Sequence, residues 1–236
     1  MVEYQKAERD IVEYLVERAK QIAVEIGKSP GSAAVVARIK AESNEHLVRI
    51  SVLRRLAAKA KMDSVVEFIE SHRDAGLKVV VAAHHREIVD ELANKFGGLK
   101  IQGGMLVSEV EDAKSRFQDM SIEDAPVIVL SIQAAKTGHT LTASQDVLFV
   151  ELPWTPADVD QTYSRCHRLG QRGSVTATYL LCEGTVDEEI YNLISRKRGV
   201  VNAATEGGMV DPREESVGQM IVGLFAQRGL KSTQNP

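Results

Sequence analysis

Ile11, Val12, Leu15, Val16, Ile22, Ala23 and Ile26 recur at helical spacing across residues 3–26, which predicts an amphipathic helix. Gly27-Lys28-Ser29-Pro30-Gly31-Ser32 interrupts the pattern, because glycine and proline resist helical continuation. Further helical segments are predicted near 32–41, 44–60 and 63–75. At Leu77-Lys-Val-Val-Val-Ala-Ala83 the pattern changes to a β-branched run that reads as a buried strand. From there the two periodicities alternate: helix 86–96, strand 99–102, helix from Ser108 to Gln118, strand 126–131, strand 147–150, a helix through 161–171 and strand 175–181. Gly184-Thr185 then opens a helix with a capping box closed by Glu188, and one more amphipathic helix is predicted over about 213–228.

Strands separated by helices predict an α/β fold, a parallel sheet with helices on both faces. An α-helical segment precedes it and C-terminal helices follow. The expected division is a helical lead-in over 1–76 packed on the lobe, the sheet domain over 77–205, and a C-terminal helix and tail over 206–236, frayed at the end.

Composition narrows the function classes. The 236 residues are 44% hydrophobic and 26% charged, as in a soluble globular protein. No apolar run approaches the ~20 residues that span a bilayer, and the N-terminus has no apolar core of a secretory signal. Cys166 and Cys182 stand apart, without metal-ligand spacing, and read as buried or half-buried thiols in a reducing compartment. A net charge of −4 argues against gripping nucleic acid with the whole surface, though not along one narrow track. The basic residues are grouped: Arg165, His167, Arg168 and Arg172; Arg196-Lys197-Arg198; and Arg49, Arg54, Arg55, Lys59 and Lys61. The last group reads as a solvated helix face.

Gln161, Arg165 and Arg168 are the most informative chemistry. On a continuous helix their i, i+4, i+7 spacing puts all three on one face. Two guanidiniums beside a carboxamide suit an anion with several oxygens; ordinary surface charge is the plainer alternative. Gly27-Lys28-Ser29 imitates the end of a phosphate loop, but Ile22 occupies the first glycine's place and a helix, not a strand, precedes it. No Asp-Glu-x-His or Asp-Glu-x-Asp occurs at a strand end to hold Mg²⁺. The sequence has one wall of a nucleotide site and lacks the other.

The run Ser131-Ile-Gln-Ala-Ala-Lys136-Thr137-Gly138-His139-Thr140-Leu141, the run Gln161 to Gln171, and Glu183-Gly184-Thr185 through Glu189 resemble the fifth motif, the sixth motif and the closing helix of one family. That family is the Swi/Snf-type DNA helicases of superfamily two, in their second, RecA-like lobe. The resemblance runs from about residue 4 to 205. Gly138-x-Thr140-Leu141 is most similar to the annealing-helicase branch, most other relatives having asparagine at the third position. Gln171-Arg172-Gly173 departs from the RNA-helicase ending of the sixth motif.

The resemblance implies residue roles. Arg165 and Arg168 match arginine fingers, and Gln161 and Gly138 fall at the nucleotide site. Ser131, Lys136 and Thr137 match the fifth-motif contact with the DNA backbone, a plain strand-to-helix loop being the alternative. Trp154 matches a residue at the DNA track, and could equally be a core anchor set by Pro153 and Pro156. His84, in Ala83-His84-His85, matches the fourth motif near the bound strand; a third ligand for a metal is lacking. Ser164 stands where many relatives have an acid before the first arginine.

The expectation is therefore a C-terminal motor lobe of a duplex-DNA translocase or helicase. It would use ATP with Mg²⁺ only when a separate first lobe carrying Walker A is present, and would not be active alone. A non-catalytic module binding DNA or a host motor is the competing expectation. No membrane association is expected. The location would be cytoplasmic in a microbe or virus-infected cell, nuclear in a eukaryote.

Overall fold

The computed structural model describes residues 1–171, 173–205 and 215–232. It divides into two compact units, one formed by 1–57 with 184–236 and the other by 58–183. The sequence boundaries follow the element order, whereas compactness places the third and fourth helices in different units and joins the chain's two ends. Arg172, residues 206–214, where the last helix was expected to begin, and the tail 233–236 lie outside the described residues.

The first unit is helical. α1 (Val2–Ile26), α2 (Ala33–Ala41) and most of α3 (Ser43–Ala60) are joined by α8 (Val186–Thr205) and α9 (Val217–Ser232). The break at 27–32 is a pair of caps: Gly27 ends α1 in the left-handed region at φ 62°, and the Ser32 side chain accepts from Val35 N–H to start α2. Leu15, Ile22, Ile39, Ile50, Leu53, Ile221 and Phe225 are buried, each contributing roughly 1.5–3 kcal/mol by leaving water. A Cβ at Gly229 would lie 2.5 Å from Val16 Cγ2, so this glycine lets α9 approach α1. The Tyr4 hydroxyl accepts from Val186 N–H at 2.6 Å. At the start of α8, Thr185 Oγ1 accepts from Asp187 N–H and the Glu188 carboxylate accepts from Gly184 N–H, each one residue off the reciprocal pair of the expected capping box.

The second unit holds the sheet. Its strands are β1 (Val79–Ala83), β2 (Lys100–Ile101), β3 (Val127–Ser131), β4 (Asp146–Phe149) and β5 (Thr176–Tyr179), all parallel in the order β2-β3-β1-β4-β5. β1 is central and buried throughout, pairing Val79 with Val127 on one side and Asp146 on the other. Two buried faces explain why β1 and β3 read as unbroken apolar runs. α4 (Met62–Asp74) supplies Val65 and Ile69 to this core, and α5 (Arg86–Lys95) supplies Ile88, Val89 and Leu92. α6 (Val107–Asp119) and α7 (Pro156–Tyr163) complete the unit.

Two expectations are corrected. Arg54 and Lys61 are not on a solvated face: both are buried, and Lys61 Nζ donates to Leu180 O at 2.6 Å. Arg54 sits at i+4 from Ile50 and i−4 from Ala58, on the apolar side of α3. The helix expected through 161–171 ends at Tyr163. Beyond Tyr163 the bonding tightens to three-residue turns, Arg165 N–H reaching Thr162 O and Cys166 N–H reaching Tyr163 O, both at 3.1 Å. Farther on, Leu141 N–H takes Arg165 O at 2.9 Å and Gln171 Nε2 reaches Cys166 O at 3.2 Å. Gly170 then turns the chain at φ 103°.

Candidate functional site

In parallel α/β sheets ligands gather where strands end and connections diverge. The loop after β3 begins with a turn: Ser131 Oγ accepts from Ala134 N–H at 3.1 Å and starts a short 3-10 helix, Ala134–Lys136. Thr137 Oγ1 donates to Ala134 O at 2.7 Å and lies 2.6 Å from His139 Nε2. The chain then runs through Gly138, Thr140 and Leu141 toward the start of β4. The segment after α7 lies alongside it.

Arg165 and Arg168 both come to this loop, though not from one helical face. Leu141 N–H bonds Arg165 O, and Arg168 Nη1 donates to Gly138 O and Thr140 Oγ1, each at 3.2 Å. Arg168 is exposed, whereas Arg165 is only 6% exposed and its Nε has no hydrogen-bond partner. Burial, then the neighbouring Arg168 charge, pulls the Arg165 pKa below its ordinary value. His139, also buried, is held toward its neutral form by burial first and then by the charges of Lys114 and Arg165. The result is a partly desolvated cationic corner with an unsatisfied donor, an arrangement that favours an anion. Gln171 fastens it, its Nε2 donating to Thr142 O, Ser144 O and Cys166 O at 3.3, 2.8 and 3.2 Å.

No hydrogen bond among the described residues joins the side chains of Gln161, Trp154 or His84 to the two arginines. Gln161 is exposed on the last turn of α7, its carbonyl accepting from Ser164 Oγ. Lys136 has its backbone in the 3-10 turn, and its side chain lies outside the described residues. Trp154 is half-buried in the turn between β4 and α7. His84 is half-buried just past β1, its ring edge-on to His85 with centroids 5.0 Å apart. Among the described residues no group of three or more His, Cys, Asp or Glu is placed to hold a metal ion, and no helix is long and apolar enough to cross a membrane.

Glu151 is the residue that sequence reasoning missed. It lies two positions beyond β4, 1% exposed, and its Oε2 accepts the backbone N–H groups of His84 and His85, both at 2.8 Å. Its Oε1 is 2.5 Å from His85 Nδ1. One carboxylate thus ties the loop after β1 to the segment carrying Trp154. A lone acid directly after the apolar run Val147–Val150 was the available signal.

The helicase conserved C-terminal domain family matches residues 60–170. The chain is 31% identical over 194 residues to the SWI/SNF-related matrix-associated actin-dependent regulator of chromatin subfamily A-like protein 1 of Xenopus tropicalis, covering 74% of this chain and 20% of that protein. It is 34% identical over 164 residues to the human DNA annealing helicase and endonuclease ZRANB3, covering 67% of this chain and 15% of that one. The chain thus spans a fifth or less of these two relatives. In fold it is similar to the C-terminal part of the Fun30 ATPase domain, with a TM-score of 0.61, 14% identity, and 95% and 94% of the two chains covered. That likeness shows a RecA-like C-terminal lobe.

Proposed function

Residues 60–170 are a helicase conserved C-terminal domain and the chain belongs with the Swi/Snf-related DNA helicases; from that premise we propose that it is the C-terminal motor lobe of an ATP-dependent duplex-DNA translocase. The observation that carries the reading is the meeting of Arg165 and Arg168 on the Gly138–Leu141 loop, with a buried, unpartnered Arg165 Nε. Such a corner fits a phosphate chain better than it fits water. When bound, ATP with Mg²⁺ supplies the reactive phosphoanhydride. The arginines would neutralise charge on its terminal phosphoryl group, and Gln161 and Gly138 would border it. The acids for Mg²⁺ and the phosphate-cradling loop are not among these residues, so a separate first lobe must provide them, and the chain alone does not turn over ATP. Ser131, Lys136, Thr137, Trp154 and His84 would face the DNA, through backbone contacts and stacking. Closure of two lobes around nucleotide would move the duplex stepwise.

The test is reconstitution with a first lobe of the same family and duplex DNA. DNA-stimulated ATP hydrolysis is expected, and Arg168→Ala should lower it by 10³-fold or more, the order of an arginine finger's contribution. No hydrolysis in the mixture, or an unchanged rate with Arg168→Ala, sinks the reading. The acidic net charge of −4 favours a second one, a non-catalytic module that docks on DNA or on a motor. DNA binding that is salt-sensitive and indifferent to ATP, without hydrolysis, would select it.

A further inference from the structure

Arg168 is exposed, yet its guanidinium is tied down. Nη1 donates to Gly138 O and to Thr140 Oγ1 at 3.2 Å each, and its charge acts on the nearby, buried Arg165, whose pKa burial and then Arg168 pull down. Both acceptors are neutral. A phosphate oxygen is charged and bonds a guanidinium roughly twice as strongly, so these are contacts that an arriving phosphate group displaces and the protein regains when it leaves. Gly138 O is main chain and any sequence would offer it. Among the described residues, Thr140 supplies the acceptor that depends on side-chain identity.

We propose, resting on the motor-lobe reading, that Thr140 is a positioning residue that parks Arg168 on the loop after β3 and competes with nucleotide phosphate for its guanidinium. The hydroxyl sets how readily the arginine is released. A solvent-exposed bond of this kind changes an equilibrium by roughly two- to fivefold.

Thr140→Val removes the hydroxyl and keeps the shape; Thr140→Ser keeps the hydroxyl. The guanidinium signals of Arg168 in the ¹⁵N-labelled chain, assigned with Arg168→Lys, are followed by NMR as sodium pyrophosphate is added. The half-saturating concentration should fall roughly two- to fivefold in Thr140→Val and stay at the wild-type value in Thr140→Ser. Equal half-points in wild type and Thr140→Val, or no pyrophosphate-dependent shift of Arg168 in any variant, overturn the inference. In the reconstituted motor the KM for ATP should fall by the same factor in Thr140→Val with kcat unchanged. A lowered kcat instead would mean that the hydroxyl holds the arginine in place for chemistry, and would also overturn it. If the wild-type mixture hydrolyses no ATP, the motor-lobe reading falls while the pyrophosphate titration still decides the parking contact.

Discussion

Glu151→Ala should destabilise the sheet unit by about 2–4 kcal/mol. The substitution removes the acceptor for the backbone N–H groups of His84 and His85, each now at 2.8 Å, and the partner of His85 Nδ1. A buried donor left without an acceptor costs about 1–3 kcal/mol. The histidines are half-buried and water repays part of that, so the sum of three losses falls to the stated range. Glu151→Gln separates the contributions. Its oxygen still accepts both amides, while its NH₂ faces His85 Nδ1, and the ring keeps that contact by taking the tautomer in which Nδ1 accepts, at a cost of about 1 kcal/mol. Trp154 is the only tryptophan and stands three residues away, so its fluorescence during urea unfolding reports this unit. An alanine variant within about 0.5 kcal/mol of wild type at unchanged urea dependence would refute the reasoning. So would a glutamine variant as damaged as the alanine one.

Two further outcomes are expected. His46 is 1% exposed, packed against Tyr14 and facing Glu42, Glu45, Arg18 and Arg49, with neither ring nitrogen hydrogen-bonded and Nε2 4.0 Å from Glu42 Oε2; burial, its largest influence, lowers its pKa from 6.5. The unfolded chain therefore binds this proton more readily, and stability drops as pH falls through about 6.5, by at most about 1.4 kcal/mol per pH unit. Thermal melts followed by far-UV circular dichroism from about pH 8 to 5.5 should show a shallower decline in His46→Phe, and an equal slope refutes the assignment. The Cys166 thiol is buried and pushed up to about 12, by burial and then by Asp146, whereas Cys182 is half-buried. A thiol reagent should modify Cys182 first and Cys166 only on unfolding; rapid loss of both thiols from the native chain would contradict the burial.

The elements that declare themselves by their own residue pattern were legible. Runs such as Val79–Ala83 and Val127–Ser131 are apolar because both sheet faces are covered, and Gly27 and Ser32 mark helix ends by local chemistry. What escaped depends on distant partners. The helix expected through 161–171 stops at Tyr163, and the segment beyond it is held instead by a distant residue, Leu141, whose N–H takes the Arg165 carbonyl 24 positions later. Glu151 escaped because its partners, His84 and His85, are 67 and 66 residues away. The meeting of the 138–141 and 165–168 segments was expected from family resemblance, but the unequal exposure of the two arginines was not. Arg54 was the avoidable miss, since its helical spacing already set it among Ile50 and Ala58.

Gln171 leaves this lobe no chemical latitude at one point. Its amide nitrogen is shared among the carbonyls of Thr142, Ser144 and Cys166, drawn from two separate stretches of chain. Glutamate is the nearest isostere, but it would turn an oxygen toward three oxygens. Asparagine has the right nitrogen on a stem one methylene too short. Spontaneous deamidation, an ordinary accident of protein ageing, would thus unfasten both arginine-bearing and loop segments in a single event.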